Sequence, residues 1–507
     1  MTREASGAIS GEQPVPVPPE AFDVVALLAE VDHDRELEPC GLRRLVLGSG
    51  ALEVVADTVA ELLSEAAAAG GSALPDRPSV VLLVDAVPIL RGTENAKDLV
   101  ERQLADRFAV RRVVLDDGQR ELHVVDDVLD AAAAEVQGAD AVVAVGGGSI
   151  SDIAKVAVAR AGAEGPRPVL VSVQTAASVD GFTDDVSVVL RDGVKRTVPS
   201  SWPDAVVADA ETIAGAPARM TRAGFGEMTS MWLGPADWRL ASLVGTDHTF
   251  KPGSVRLLDL VGADISTWAD GVRTGEPADV ARLTRALALR GLATGVSGTT
   301  AVLSGMEHLV SHMLDQHHTE HHLPMGLHGA QVGVAGVVAA SAWEMLVERL
   351  DASPAPPSLD EVALDRDAAE ARVGAAFAGL DPTGRIGAEC WREYSRKLSA
   401  VDSARTDLET FLASWPEHRA ELLGLVRPSR EVAARLRSAG AAVTFDELEP
   451  AVEPDLARWA VTNCALMRNR FTIVDLLTLL GWWDHDDVEE VLERTRRSAR
   501  PDTAAVA

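Results

Sequence analysis

The stretch Ala141-Val142-Val143-Ala144-Val145-Gly146-Gly147-Gly148-Ser149-Ile150-Ser151-Asp152-Ile153-Ala154-Lys155 constrains the fold more than any other part of the chain. A Val-rich run of strand length ends in three glycines, and an Ala-rich helical pattern starts at once. Strand, glycine turn and helix set backbone N–H groups and a helix N-terminus against a phosphate. Without a Cβ, glycine lets another group come close to the backbone. Ser149 or Ser151 is a candidate helix cap. Taken alone, the same pattern is equally a tight turn with no ligand.

The surroundings extend the pattern. Arg44–Gly48, Ser79–Asp85, Arg112–Leu115 and Pro168–Val173 read as short apolar strands, separated by helical spacing over 52–68, 95–108 and 124–136. Strands alternating with helices predict a parallel sheet covered on both faces. Ligands of such sheets sit at the carboxyl ends of the strands, where Asp85, Gly146, Gly147, Gly148 and the segment after Val173 fall. Beyond about Ala214 strand signals stop, and long helical runs such as 279–294 and 330–349 take over. The expected fold is therefore α/β: a Rossmann-like parallel-sheet domain over 41–213 followed by an all-helical domain over 214–490. Residues 1–40 and 491–507 read as flexible tails, and the Pro-rich segment Ser353–Ser358 in the 351–370 region reads as a surface insertion.

Composition excludes several classes. A formal net charge of −30 over 507 residues argues against a general nucleic-acid or anionic-membrane binder. The opening Met1–Glu20 has no apolar centre, and no apolar run reaches spanning length. Cys40, Cys390 and Cys464 show no disulfide or metal spacing, which fits a reducing cytoplasm.

Of the 12 histidines, seven lie between His308 and His328. Glu307-His308-Leu309-Val310-Ser311-His312 puts His308 and His312 one turn apart on a helix face, and His328 follows beside a new helix. Histidines with a carboxylate suit a divalent cation in an open site, although structural histidines fit the same spacing. The tract Asp315-Gln316-His317-His318-Thr319-Glu320-His321-His322 reads as a solvated polar loop. Asp180, after a strand at the ligand edge, and Glu227, opening the helical half, could complete the site. Their alternatives are an Asx turn before Gly181 and a carboxylate complementing a helix N-terminus.

The ordered set Gly-Gly-Gly-Ser-x-x-Asp-x-x-Lys (146–155), Thr-Ala-Ala-Ser-x-Asp-Gly (175–181), Ala-Gly-Phe-Gly-Glu (223–227), Ser-Gly-x-Glu-His-x-x-x-His (304–312) and Leu-His-Gly (327–329) resembles the sn-glycerol-1-phosphate dehydrogenases, especially their AraM-like branch. These belong with the iron-type alcohol dehydrogenases, glycerol dehydrogenase and dehydroquinate synthase. The resemblance runs from about Leu45 to Trp483 and includes Asp192–Thr197, Ala236-Asp237-Trp238 and Met467–Leu477. It implies a dehydroquinate synthase-like fold and a cytoplasmic homodimer in phospholipid metabolism that interconverts dihydroxyacetone phosphate and sn-glycerol 1-phosphate, with neither nucleic acid nor membrane as partner. It implies NAD or NADP held by Gly146, Gly147, Gly148, Ser149, Asp152, Thr175, Ala176, Ser178 and Asp184, with Asp85 on the adenosine ribose. It further implies one divalent zinc, nickel or iron on Glu227, His308 and His328, with Asp180 and His312 touching substrate. Lys155, Lys195 and Arg196 are candidate phosphate partners.

The chain departs from that pattern in places. The family's metal carboxylate is normally Asp, whereas Glu227 matches dehydroquinate synthases; Asp184 stands where a cofactor-contacting Ser is usual; and the segment joining the metal histidines is enlarged. A related polyol or alcohol dehydrogenase, a sugar-phosphate cyclase and a non-catalytic cofactor-binding relative are therefore the alternatives.

Overall fold

The computed structural model of the chain describes residues 19–501 except 72, 120, 121, 192, 193 and 262–264. Expectations placed on residues 1–18, 502–507, Asp192, Gly193 and the Lys195 side chain lie outside the described residues.

Alternating strands and helices build the first half around Val-rich central strands buried on both faces. In chain order these elements are β1 (Glu20–Asp23), α1 (Val24–Val31), β2 (Arg44–Gly48), α2 (Val55–Gly70), β3 (Ser79–Asp85), α3 (Ala96–Ala105), β4 (Ala109–Leu115), α4 (Asp126–Val136), β5 (Ala141–Gly146), α5 (Gly148–Glu164), β6 (Val169–Gln174), β7 (Val186–Arg191), β8 (Val194–Pro199) and β9 (Ala205–Asp209). Seven strands form one sheet in the order β1-β2-β9-β6-β5-β3-β4. All neighbours are parallel except β1 on β2. Side chains alternate across it: Val80, Leu82 and Val84 of β3 pack with Val59 and Val100 of α2 and α3. Val81 and Leu83 pack with Leu129 and Ile153 of α4 and α5 on the opposite face. The hairpin of β7 and β8 stands apart from this sheet. Its alternation was not read from the sequence.

Helices make the second half: α6 (Ala210–Ala214), α7 (Ala218–Met228), α8 (Gly234–Leu243), α9 (Pro252–Asp259), α10 (Ile265–Thr274), α11 (Pro277–Ser297), α12 (Met306–Glu320), α13 (His328–Ala352) and others through His485–Ser498. By length and hydropathy α13 could cross a membrane, yet 89% of its most apolar window is buried inside the protein. It is apolar all round because neighbours surround it.

Both expected tails are shorter than the sequence suggested. Residues 20–31 supply the sheet's edge strand and α1, whose start is capped by Asp23 accepting from Ala26 N–H at 2.9 Å. Phe22, Val24 and Val31 pack into the main core, and that apolar contact orders the segment. At the other end, the helix His485–Ser498 opens with an Asp484/Asp487 capping box and buries Val488, Val491, Leu492 and Thr495. The i, i+3, i+4, i+7 stripe was hidden among arginines.

The residues 315–322 are not a loop either. The helix α12 continues to Glu320 and buries Asp315, Gln316 and His318. Ser149 and Ser151 do not cap α5; its cap is Gly147, so both serines lie within the first turn.

Candidate active site

Close backbone contact brings the site together. A Cβ on Gly226 of α7 would stand 2.2 Å from Gly329 O, one on Gly329 2.2 Å from Ala223 O, and one on Gly333 2.8 Å from Gly226 Cα. Only glycine permits this crossing of α7 and α13. It sets Glu227, near the end of α7, against His328, the first residue of α13. The same logic joins the two halves, since a Cβ on Gly224 would stand 1.9 Å from Ala177 O.

Glu227, His308 and His328 each offer one ligand atom within 4.8 Å of the others. Glu227 does not open a helix, as its alternative reading required. It lies in the last turn of α7, where the helix dipole opposes a carboxylate. Burial opposes its charge as well, yet the His308 hydrogen bond and the charges of His308, His328 and Arg290 hold it well below the usual carboxylate range. His308 Nε2 lies 3.3 Å from Glu227 Oε1, and His328 Nε2 lies 3.8 Å from Oε2. Buried Glu227 Oε2 has no hydrogen-bond partner. An unsatisfied buried carboxylate oxygen beside two imidazole nitrogens has the donor chemistry of a zinc, nickel or iron site.

Partners fix both imidazoles. His308 Nδ1 donates to Glu307 Oε1 at 3.0 Å, and the same oxygen accepts from Gly305 N–H at 2.9 Å. Nδ1 therefore keeps its proton, and Nε2 is the nitrogen that can ligate once it gives up its own. Burial works against charge on His308, but Glu227 and Glu307 outweigh it and push its pKa up to about 9. For His328, the Ser311 hydroxyl donates to Gln331 Oε1 at 2.7 Å, so its oxygen accepts Nδ1–H of His328 at 2.9 Å. Asp237 underlies this shell by accepting from Met306 N–H at 2.8 Å. Burial, then Glu307, pushes its carboxyl up to about 8.

His312 joins the same cluster, its ring stacked 5.6 Å from that of His328. Asp180 is tied to Glu227 through Arg290, which bonds Asp180 Oδ2 at 2.9 Å and Glu227 Oε1 at 3.0 Å. Exposure rises outward, with the Glu227 side chain 3% exposed, His308 10% and His328 25%, so the triad opens on its His328 side.

The glycine turn lies at the carboxyl end of β5. A Cβ on Gly147 would meet nothing within 4 Å, which leaves that backbone open to an approaching group at the start of the 17-residue α5. Ser149 is exposed beside it, and Thr175 N–H donates to Gly146 O at 3.2 Å, joining the β5 and β6 ends. Ala176 and Ser178 are buried along the same edge, with Asp152 half-buried on α5. Asp85 ends β3 on this edge, but its Oδ1 already accepts from buried Lys97 at 2.5 Å and from Val87 N–H at 2.9 Å.

Some expectations fail here. Asp184 turns inward, where its Oδ1 meets Lys155 Nζ at 2.5 Å, and burial pushes its carboxyl up to about 6. It therefore holds the fold rather than the cofactor. Lys155 is fully buried on Asp184 and Gly181 O and cannot reach a phosphate. Arg196 pairs with Glu389 at the surface. Sequence reasoning assigned no role to Arg290, Glu307, Ser311 or Gln331. The lone charge of Arg290 in the apolar run 286–293 was the available signal.

The sequence model of the family described as "Iron-containing alcohol dehydrogenase" matches residues 72–217. The fold is that of maleylacetate reductase from Rhizobium sp. strain MTP-10005, 17% identical, covering 92% of this chain and 99% of that one with a TM-score of 0.50. The family match falls on the sheet half of the chain, and the fold is shared over nearly all of it. Among curated relatives, glycerol-1-phosphate dehydrogenase [NAD(P)+] of Haloquadratum walsbyi is 29% identical, over 56% of this chain and 80% of the relative. That of Pyrococcus furiosus is 30% identical, over 52% and 74% respectively. The chain belongs to the glycerol-1-phosphate dehydrogenase family.

Proposed function

We propose that this chain interconverts dihydroxyacetone phosphate and sn-glycerol 1-phosphate by hydride transfer with NAD or NADP. Family membership supports the reaction. The observation that carries the chemistry is the unsatisfied Glu227 Oε2 facing His328 Nε2 with His308 alongside. Glu227, His308 and His328 hold one divalent cation, which when bound supplies Lewis-acid polarisation of the substrate's reacting oxygen. Glu307 and Ser311 keep both imidazoles in the ligating tautomer. Asp180 and His312, on the open side, orient the substrate for transfer. Gly146, Gly147, Gly148, Ser149, Asp152, Thr175, Ala176 and Ser178 line the cofactor's seat, with the α5 N-terminus toward its pyrophosphate. Asp85, at the end of β3 on the same edge, is the acid assigned to the adenosine ribose, an assignment that favours NAD over NADP. The same reading carries a homodimer working in the cytoplasm.

The test follows nicotinamide absorbance with protein reconstituted in turn with zinc, nickel and iron, with dihydroxyacetone phosphate as substrate. NADH oxidation that disappears in Glu227→Ala is the expected result. Metal-loaded protein that leaves NADH untouched overturns the substrate assignment.

A further inference from the structure

The guanidinium of Arg290 is fully buried in α11, between a loop of the sheet half and a helix of the helical half. Its five N–H donors are all matched. Nε and Nη2 reach Asp180 Oδ2 at 3.2 and 2.9 Å, Nη2 reaches Glu227 Oε1 at 3.0 Å, and Nη1 reaches Met228 O at 3.1 Å and Ser230 Oγ at 2.7 Å. The neighbouring Gly291 makes this possible, because a Cβ there would stand 2.3 Å from Asp180 O. One rigid planar cation therefore links the carboxylate assigned to the substrate with the carboxylate assigned to the metal.

We propose that Arg290 is a positioning residue that couples Asp180 to Glu227 and moderates how tightly Glu227 holds the cation. This rests on the reading of Glu227, His308 and His328 as a cation site. With Oε1 tied to Arg290, Glu227 presents Oε2 alone. The adjacent positive charge opposes a dication, so the site binds more weakly than its donors would otherwise allow. Removing that charge leaves the pocket more anionic and lets Glu227 use both oxygens, so the cation is held more tightly. Asp180 meanwhile loses its anchor, and substrate binding suffers. A residue that merely filled space would produce no gain in metal affinity.

The experiment measures Zn²⁺ affinity by competition with a fluorescent chelator, on full-length protein dialysed free of metal, for wild type, R290Q and R290K. Thermal melts report folding, and KM and kcat for dihydroxyacetone phosphate are read on the loaded forms. R290Q is expected to bind Zn²⁺ about tenfold more tightly, within the usual span of site-to-site coupling, and to raise KM by about tenfold. R290K keeps the charge but not the fork, so its Zn²⁺ affinity stays within about threefold of wild type while KM rises. A folded R290Q whose affinity is unchanged or weaker overturns the proposal. If R290Q does not fold, R290K decides: unchanged KM, or affinity altered by about tenfold, overturns it. Failure of both variants to fold marks a purely structural residue and also overturns it. A wild type that binds no Zn²⁺ instead sinks the cation site itself.

Discussion

One helix carries two groups of histidines, and they meet opposite fates. At the N-terminal end of α12, His308 and His312 converge with His328 from another helix, and Glu227 and Glu307 raise the His308 pKa to about 9. At the C-terminal end, the rings of His317 and His321 stack at 4.3 Å. There, burial and neighbouring histidines lower the pKa of His317, and burial lowers that of His318. Buried Nδ1 atoms of both His317 and His318 lack a hydrogen-bond partner. The residue type is the same at both ends; the hydrogen bonds of Glu227 and Glu307 to His308 make the difference. Histidine spacing alone does not define a ligand, because the partner on the second nitrogen decides which atom is offered.

The comparison breaks most decisively at the metal ligands. His308→Ala and Glu227→Ala are each expected to lower kcat/KM by about three orders of magnitude or more and to abolish retained metal, measured by turnover and elemental analysis. Substituting His317 and His321 together by Ala should leave both within about twofold of wild type, since His321 Nδ1 rests on a backbone carbonyl and His317 Nδ1 has no hydrogen-bond partner among the described residues. Metal lost from that double variant would reverse the assignment of the two ends.

A smaller effect sharpens the role of the backing shell. Glu307→Gln leaves the ligands in place but weakens the acceptor on His308 Nδ1, and an outer-partner change of this kind costs about 10- to 100-fold in metal affinity or activity. Zn²⁺ competition on the variant measures it. Gly226→Ala tests the helix crossing instead. Its Cβ would meet Gly329 O at 2.2 Å, so α7 and α13 must separate. Overpacking of this kind costs about 1–3 kcal/mol, read by denaturant unfolding, and should reduce metal retention as Glu227 and His328 part.

The smallest expected effect concerns pH. His318 is buried with its pKa lowered, so its neutral form is favoured in the folded chain. The unfolded chain then takes up the proton first. The associated stability is present above the ordinary histidine pKa of about 6.5 and is lost as pH falls through it. Replacing His318 by Gln should reduce the loss of thermal stability between pH 8 and pH 5, read as a shallower fall of the melting temperature with pH. An unchanged pH slope would mean that His318 keeps its neutral form for no energetic reason, and the contrast between the two ends would weaken.

Legibility in the sequence followed how local each signal was. The sheet core was readable because β5 and β6 are short Val-rich runs buried on both faces, and the glycine turn lies within one continuous stretch. The cation-site candidates were legible as residue types, but only the resemblance joined Glu227 to His308 and His328, since Glu227 and His328 are about one hundred residues apart and nothing local joins them. Asp184 was misread because its partner Lys155 lies a helix and a strand away. The edge strand at residues 20–23 escaped because pairing with β2, rather than its own propensity, makes it a strand.

By itself the sequence determined the alternation of strands and helices, the position of the glycine turn at the carboxyl edge, and the residue types fit to bind a cation. Hydrophobic period and chain stereochemistry act over a few residues, and a sequence records both directly. Tertiary structure alone decided which histidines face Glu227, which nitrogen each offers, and that Arg290 links the two carboxylates. Those outcomes depend on helices packed closely at Gly226, Gly329 and Gly333, and a distance of that kind is set by the whole core.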